Sequence, residues 1–215
     1  MPPADRAQPG PPSSDPTIER WNRRYRARSE RSASDKESPL ADHSDLRDPH
    51  PFLPAQADLL PATGRALDIA CGLGRNSIWL AGRGFDVTAV DGSSVACEHL
   101  DAVAAARSLP IELICRDLER DELPAGPYDA IVNTLYLQRS LAPRIEEILA
   151  AGGLLLFATY LEAGVAGRAA PRFELKPNEL ATLFPRLETL HYEEHDDVDR
   201  PWAGLAARKP SERPG

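Results

Sequence analysis

The chain has 215 residues and a formal net charge of −8. That length suits a single domain, and the acidic balance disfavours nucleic acid or an anionic membrane as the main partner. No apolar run reaches the roughly 18 residues of a membrane helix, and the N-terminus has no hydrophobic secretory region, so we expect a cytoplasmic protein. Three cysteines without a CxxC pair indicate reduced thiols, and argue against a disulfide framework or a zinc site.

Proline content separates the N-terminal part of the chain from the rest, because 11 of the 21 prolines lie at or before Pro61. Residues 1–17 carry almost nothing to bury and are predicted to form a disordered tail. We expect a helix and linker over 18–50, a folded domain over 51–209 and a flexible end over 210–215. The domain is long enough to bury a substantial core.

A short amphipathic helix is predicted over about residues 16–28, because Ile18, Trp21 and Tyr25 are spaced to share one helical face. Six arginines and one glutamate lie between Arg20 and Arg31. This charge run is typical of a solvated helix or a flexible arm, with a polyanion-binding segment as the alternative.

From residue 65 onward, short apolar strands alternate with helices, a pattern that predicts βαβ units and a mostly parallel sheet. The predicted strands cover residues 66–70, 85–90, 111–115, 128–133 and 153–160. The predicted helices cover 75–81, a segment capped by Ser93 or Ser94 that runs to about 107, and 142–150.

The C-terminal third has a different pattern. Pro177 just inside a helical start predicts a helix over 177–184. Strand-like runs over 187–193 and 202–209 can pair as an antiparallel hairpin at the edge of the sheet. His191 and His195 have a zinc-binding spacing only if they lie on a helix, so we expect structural or solvent-facing histidines and no metal site.

A glycine turn follows the first predicted strand. Gly72 and Gly74 allow a tight turn and close approach of a ligand to the backbone. Asp68 lies inside that strand, where a carboxylate suits a cationic amino group better than a pyrophosphate. Ser77 departs from the small third residue of the dinucleotide fingerprint. Asp91 ends the second strand, where it can accept hydrogen bonds from both hydroxyls of a ribose.

These residues resemble motif I of the class I S-adenosylmethionine-dependent methyltransferases. Residues 67–76 read Leu-Asp-Ile-Ala-Cys-Gly-Leu-Gly-Arg-Asn, with alanine where the first glycine of that motif is common. Residues 21–25 and 172–180 are similar to the small tellurite-resistance-type methyltransferases. The resemblance covers about residues 21–209. It implies an α/β fold with a doubly wound, mostly parallel seven-stranded sheet and an antiparallel C-terminal hairpin.

The resemblance also implies that S-adenosyl-L-methionine is the cofactor and that the glycine turn carries its methionine moiety. The turn comprises Ala70, Cys71, Gly72 and Gly74, with Asp68 holding the ammonium group directly or through water. Cys71 is expected to fill the turn as a small residue, the alternative being a thiol whose pKa is lowered by the helix N-terminus.

The adenosine end of the cofactor is placed in the same way. Asp91 would bind the ribose hydroxyls, and Gly92 and Ser93 would flank the adenosine. Asp117 would accept from the exocyclic amine of adenine, and the Leu118 backbone N–H would donate to the ring. A structural alternative for Asp117 is a helix cap.

The acceptor side is less defined by sequence. Asn133 would offer its carbonyl near the methionine amine, or serve as a turn residue. Residues 133–136 lack the two prolines of the signature for nucleic-acid amino methylation, which argues against methylation of adenine or glutamine nitrogen. The residues expected to face the acceptor or to close over the site as a lid are Trp21, Tyr25, Tyr136, Gln138, Arg139, Arg172 and Phe173. The alternative for the last five is local packing or solvation.

The resulting hypothesis is an enzyme that transfers a methyl group from S-adenosylmethionine to a small molecule such as a thiol, a metalloid oxyanion or another metabolite. No catalytic residue is identifiable, and sequence does not distinguish a monomer from a homodimer. The alternatives are an NAD(P)-dependent oxidoreductase and a methyltransferase fold that binds its cofactor without catalysis and serves regulation.

Overall fold

A seven-stranded sheet lies at the centre of the computed structural model, which describes residues 15–34, 48–162, 173–196 and 200–211. Its strand order is β3-β2-β1-β4-β5-β7-β6. The strands are β1 Gly64–Ile69, β2 Phe85–Asp91, β3 Ile111–Cys115, β4 Tyr128–Thr134, β5 Leu149–Tyr160, β6 Glu188–His195 and β7 Trp202–Arg208.

The first five strands are parallel, and β7 is inserted antiparallel between β5 and β6. This arrangement confirms the predicted doubly wound sheet with an antiparallel C-terminal hairpin. Because all five parallel strands point the same way, their carboxyl ends meet at one edge, where open α/β sheets bind their ligands.

Helices lie on both faces of the sheet. They are α1 Pro16–Ser34, α2 Phe52–Ala55, α3 Arg75–Gly82, α4 Ser94–Arg107 and α5 Ala142–Ile148, with short 3₁₀ turns at Ala57–Leu59, Arg139–Leu141 and Leu180–Thr182. Alternate residues of a strand face opposite sides of the sheet. On β5, Leu155 and Phe157 therefore pack with Ile145 of α5, whereas Leu154 and Leu156 pack with Phe52 of α2 on the other face.

Several predicted bounds differ from the structure. Helix α1 continues to Ser34, beyond the predicted end at about residue 28, because residues 17–34 contain no proline or glycine. Strand β5 begins at Leu149, directly after α5 ends, so the predicted helix over 142–150 is two residues too long.

The predicted helix over 177–184 is wrong. Only the 3₁₀ turn Leu180–Thr182 forms there. Asn178 has a positive φ of 62°, which an α-helix does not contain, and Pro185 limits extension at the other end. Predictions for residues 1–14, 35–47, 163–172 and 212–215 lie outside the described residues. None of the helices among the described residues combines the length and the hydrophobicity that crossing a bilayer requires.

Candidate functional site

The glycine turn contains three residues in the left-handed region of backbone space. Ala70 has φ 55°, Gly72 has φ 54° and Gly74 has φ 89°. Left-handed residues at alternate positions fold the chain back sharply between β1 and α3, and Gly74 occupies the N-cap of α3. The turn therefore presents its backbone to a cleft at the carboxyl edge of the sheet.

Asp91 connects the end of β2 to this turn. One carboxylate oxygen accepts a 2.8 Å hydrogen bond from the Gly72 N–H, and the other accepts a 2.8 Å bond from the Ser93 N–H. Burial raises the pKa of Asp91, and these backbone donors oppose that rise. Each carboxylate oxygen keeps further acceptor capacity, so Asp91 can still accept hydrogen bonds from ribose hydroxyls in the cleft.

Asp68 lies behind the turn and does not line the cleft. Its Oδ2 accepts a 2.6 Å hydrogen bond from the Ser77 hydroxyl of α3. Burial, with a smaller contribution from Asp91, raises the pKa of Asp68 to about 7. The structure therefore places the Asp68 carboxylate as a support of the turn, one layer further from the cleft than the resemblance implies.

Cys71 is buried within the turn and, unlike Asp68, lines the cleft. Burial and the nearby carboxylates of Asp91 and Asp68 raise the pKa of the Cys71 thiol well above its usual value. The alternative of a thiol activated by the helix N-terminus is therefore wrong, since burial outweighs the helix terminus here. The structure agrees with a small residue that fills the turn.

The loop after β3 brings Asp117 and Leu118 to the cleft. Asp117 Oδ1 accepts a 3.0 Å hydrogen bond from the Glu119 N–H, and its backbone N–H donates to the Asp121 carboxylate. Arg120 lies 3.6 Å from Asp117 Oδ2. Asp117 thus organises a turn and also faces the space expected to receive adenine. No helix begins after it, so the alternative of a helix cap is wrong.

Asn133 does not line the cleft. Its side chain is buried, and Nδ2 donates a 2.7 Å hydrogen bond to the Tyr136 carbonyl. This bond fixes the loop after β4, whose Thr134, Leu135 and Tyr136 line the cleft in place of Asn133. The Tyr136 ring stacks on Phe173, with ring centroids 6.5 Å apart.

Helix α1 covers the glycine turn. A methyl group built on Gly72 would lie 2.8 Å from the Tyr25 hydroxyl, so Tyr25 sits directly over the turn. The Trp21 and Tyr25 rings stack at 5.9 Å. The buried Asn22 accepts a 2.6 Å hydrogen bond from the Ser93 hydroxyl at the N-cap of α4. Trp21 and Tyr25 therefore both line the cleft.

The far end of the cleft is lined by Arg75, Tyr160 and Arg200, none of which was predicted from sequence. The Arg200 guanidinium lies over the Tyr160 ring, 3.4 Å from its centroid. Partial burial lowers the pKa of Arg75. The sequence could have indicated Arg75 as a cleft residue, because it directly follows Gly74 of the glycine turn. Nothing local marks Arg200, which reaches the cleft only because β7 is antiparallel.

Arg139 was expected on the substrate side, but the structure places it outside the cleft lining. Its guanidinium pairs with the Glu179 carboxylate, with Nη2 2.8 Å from Oε2, and donates to the Glu174 carbonyl. Arg139 thus holds the segment after residue 173 against the 3₁₀ turn that follows β4. Arg172 lies outside the described residues.

The cleft has a volume of about 540 Å³, within the range of small-molecule and cofactor sites. It runs from Asp117 past Asp91 and the turn to Arg200. Across the described parts of the chain, no group of three or more histidine, cysteine or acidic side chains is placed to hold a metal ion. His191 and His195 lie on β6, 3.4 and 3.3 Å from Glu193.

Sheet order, glycine turn and acidic strand ends are together those of the class I S-adenosylmethionine-dependent methyltransferase fold, a class whose cofactor is S-adenosylmethionine. Comparison with known proteins agrees: residues 66–153 match the family model described as a methyltransferase domain. The matched region spans β1 to the first part of β5 and includes the glycine turn, Asp91 and Asp117.

Two curated relatives match similar lengths of the chain. Hemagglutinin 1 of Eikenella corrodens is 31% identical over 138 residues, 60% of this chain and 46% of that protein. “Probable S-adenosyl-L-methionine-dependent methyltransferase TehB” of Haemophilus influenzae is 29% identical over 139 residues, 61% of this chain and 48% of that protein. The chain spans about half the length of the curated relatives it matches.

Solved structures show the same fold. TehB from Haemophilus influenzae superposes with a TM-score of 0.63 at 26% identity, over 82% of this chain and 65% of that one. The cyclase SpnF superposes with a TM-score of 0.62 at 20% identity, over 74% of this chain and 81% of that one. The chain therefore resembles TehB in sequence and fold, whereas the likeness to SpnF concerns the fold alone.

Proposed function

We propose that the protein transfers the methyl group of S-adenosylmethionine to a small anionic acceptor. The observation that carries this proposal is the Asp91 carboxylate, which faces the cleft while it bonds the Gly72 N–H at 2.8 Å. This hydrogen bond holds the proposed ribose-binding carboxylate next to the glycine turn. One ligand that joins a nucleoside to an amino acid can therefore contact both.

The proposed cofactor position follows the strand ends. Asp117 and the Leu118 N–H would contact the adenine edge, and Asp91 would bind the ribose hydroxyls. The turn from Ala70 to Gly74 would receive the methionine moiety. Asp68 would act through the turn and Ser77, because its carboxylate is buried behind them. Tyr25 would close the cleft from the side of α1.

The cofactor supplies an activated methyl group, so this chain has to orient the acceptor and exclude water. Helix α1 and the aromatic pair Tyr136 and Phe173 provide apolar cover for the cleft. A soft anionic nucleophile such as a thiolate or a metalloid oxyanion arrives without a proton to lose. It therefore needs no general base.

The charge at the far end of the cleft favours an anionic acceptor. Arg75 and Arg200 both line this end, and the Arg200 guanidinium lies over the Tyr160 ring. Guanidinium groups recognise carboxylates and oxyanions through paired N–H donors. Thiols that carry a carboxylate, metalloid oxyanions and other small anionic metabolites fit this description.

The oxidoreductase alternative is disfavoured by two features. The dinucleotide fold has a parallel sixth strand beside the fifth, whereas here the antiparallel β7 pairs with β5. Ser77, which occupies the third position of the fingerprint, is held by a hydrogen bond to Asp68 and departs from the small residue that the fingerprint requires there.

Calorimetry tests the cofactor. We expect wild-type protein to bind S-adenosylmethionine and S-adenosylhomocysteine but not NAD, and Asp91→Asn to lose most of that affinity. Asp86→Asn is the matched control, because Asp86 is exposed on the same strand. Binding of NAD alone, or equal affinities for wild type and Asp91→Asn, would overturn the cofactor assignment.

Initial rates on an acceptor panel test the acceptor class. Carboxylated thiols and metalloid oxyanions should be methylated, and neutral or cationic amines should not. Arg200→Met should raise KM for anionic acceptors with little change in cofactor affinity. Arg83→Met is the control, since Arg83 lies over the Trp79 ring outside the cleft lining. Preferential turnover of amines would contradict an anionic acceptor.

A further inference from the structure

Two cysteines meet beneath the proposed ribose-binding carboxylate. Cys97 lies in the first turn of α4, and Cys115 is the last residue of β3. Both are free thiols and neither lines the cleft, so methyl transfer does not use them. Cys97 is buried, whereas Cys115 is partly exposed.

Both cysteines adjoin Asp91, Cys97 through its thiol and Cys115 through its backbone. The Cys97 S–H donates to the Asp91 carbonyl at 3.5 Å. Cys115 is the residue directly opposite Asp91 in the parallel pairing of β2 and β3. The Arg116 N–H donates to the same carbonyl at 2.9 Å. The end of β3 and the start of α4 are therefore joined at one point of β2.

The two side chains also face the same interface. Leu113, two residues before Cys115, points to the same side of β3 and packs in one small cluster with Leu100 of α4. Leu100 follows Cys97 by three residues and so shares its helical face. Strand alternation and helical spacing thus direct Cys97 and Cys115 toward each other.

The two thiols differ in acidity. The interaction between the two side chains lowers the pKa of Cys115 and, together with burial, raises the pKa of Cys97. Cys115 is therefore the more nucleophilic sulfur and also the more exposed one, which is the combination found in oxidation-sensitive cysteines. The Cys97 thiol faces Cys115 and can react with the Cys115 sulfur once that sulfur is oxidised.

We propose that Cys97 and Cys115 form a disulfide on exposure to hydrogen peroxide, and that this disulfide weakens cofactor binding. The Cys115 thiolate attacks the peroxide oxygen, giving a sulfenic acid and releasing water after protonation. The Cys97 sulfur then loses its proton and attacks the Cys115 sulfur, forming the S–S bond and releasing a second water. Two thiols are oxidised and one peroxide is reduced to two waters.

The expected effect on the cofactor follows from the shared contact with Asp91. A disulfide removes the Cys97 S–H that bonds the Asp91 carbonyl and pulls β3 and α4 into the geometry of the S–S bond. Asp91 and the Ser93 cap of α4 move with them, because Asp91 bonds the Ser93 N–H. The effect on affinity rests on the proposed function, whereas disulfide formation does not.

Non-reducing peptide mapping by mass spectrometry tests the disulfide itself. Full-length protein treated with hydrogen peroxide should yield one cross-linked peptide pair, which joins Cys97 to Cys115 and disappears with dithiothreitol. Cys71→Ser should give the same pair, and Cys97→Ser and Cys115→Ser should give none. A pair that involves Cys71, or oxidation of Cys115 to sulfinic acid without a cross-link, would overturn the proposal.

Calorimetry with S-adenosylhomocysteine, on the reduced and the oxidised wild-type protein, tests the consequence. We expect about a tenfold loss of affinity on oxidation, recovered with dithiothreitol, and no loss for Cys115→Ser under the same treatment. Unchanged affinity in fully cross-linked protein would overturn the regulatory effect. If reduced protein does not bind at all, the proposed function and the regulatory effect both fail, while the peptide map still decides the disulfide.

Discussion

The Ser77 hydroxyl donates a 2.6 Å hydrogen bond to Oδ2 of Asp68, and this bond joins β1 to the first turn of α3 across the glycine turn. Asp68 is fully buried, and its Oδ1 has no hydrogen-bond partner among the described residues. A buried carboxylate whose donors come from one residue, Ser77, is costly to ionise. This explains why its pKa is raised to about 7.

The raised pKa predicts a specific pH dependence of stability. Folded protein keeps the Asp68 proton up to about pH 7, whereas an unfolded chain loses it near pH 4. The unfolded state therefore binds fewer protons between these values, so rising pH lowers the free energy of unfolding, by up to about 4 kcal/mol at and above pH 7. The contribution is fully present only below about pH 4.

Asp68→Asn removes this titration and keeps an acceptor for Ser77. Urea denaturation between pH 4 and 8 should show the variant gaining stability relative to wild type as pH rises, with the difference constant above about pH 8. Asp86→Asn, which alters an exposed carboxylate, should follow the wild-type curve. A pH-independent difference between Asp68→Asn and wild type would contradict the raised pKa.

Gly74 and Gly82 give a matched test of the turn. Gly74 has φ 89°, and a methyl group there would collide with the buried Leu100 side chain of α4. Gly82 ends α3 with nothing within 4 Å of such a methyl group. Gly74→Ala should lower the unfolding free energy by about 2 kcal/mol or more. Gly82→Ala should leave it unchanged or raise it by up to about 1 kcal/mol.

Thermal and urea unfolding of both variants measure this contrast. A loss confined to Gly74→Ala, accompanied by weaker S-adenosylhomocysteine binding, would agree with a turn that must keep its backbone close to the ligand. Equal behaviour of the two glycine variants would contradict the left-handed geometry at Gly74.

The fold was predictable because its strands carry a strong local signal. The strand over 111–115 has the predicted bounds, and β2 and β4 differ from prediction by one residue at their carboxyl ends. Apolar runs bounded by Gly, Pro and Asp mark such strands without reference to tertiary structure. The prediction of a helix over 177–184 failed because Asn178 has a left-handed backbone. The spacing of apolar residues gives no sign of that conformation.

Site residues at the ends of strands were predictable from sequence. Site residues whose positions depend on contacts between distant segments were not. Asp91 and Asp117 reach the cleft because parallel strands end at one edge. Arg200 arrives through the reversed direction of β7, and Arg139 is drawn away by Glu179. Both positions depend on long-range pairing between segments far apart in sequence.

Ala70 allows the reverse substitution to that at Gly74, alanine to glycine, with the opposite expected change in stability. Its φ of 55° is a left-handed conformation that costs alanine about 1–2 kcal/mol relative to ordinary backbone. Ala70→Gly should therefore raise the free energy of unfolding by up to about 1 kcal/mol, after the greater chain entropy of glycine is subtracted. Ala105→Gly, on an exposed helical position of α4, should lower it by about 1 kcal/mol.

Urea denaturation midpoints and slopes for the two alanine variants provide this measurement. The sign of the effect is the decisive quantity, because both changes delete one methyl group. A loss of stability in Ala70→Gly comparable to that in Ala105→Gly would show that Ala70 is not strained.

Docking of α1 on the cleft depends on Asn22 and leads to the last prediction. Asn22 is buried and accepts the 2.6 Å hydrogen bond from Ser93, which also caps α4. Asn22→Ala leaves the Ser93 hydroxyl without this acceptor, at a cost of about 1–3 kcal/mol. We expect α1 to separate from the cleft more often, so that Tyr25 covers the glycine turn for less of the time.

Hydrogen exchange of α1 amides and S-adenosylhomocysteine affinity measure the two consequences. Asn22→Ala should speed exchange in α1 and weaken binding about tenfold, the equivalent of about 1.4 kcal/mol. Arg23→Ala, at the exposed neighbouring position, should change neither quantity by more than about twofold. If α1 exchanges faster in Asn22→Ala while binding stays at the wild-type value, helix α1 docks on the cleft without closing it, and the predicted lid role of Trp21 and Tyr25 is wrong.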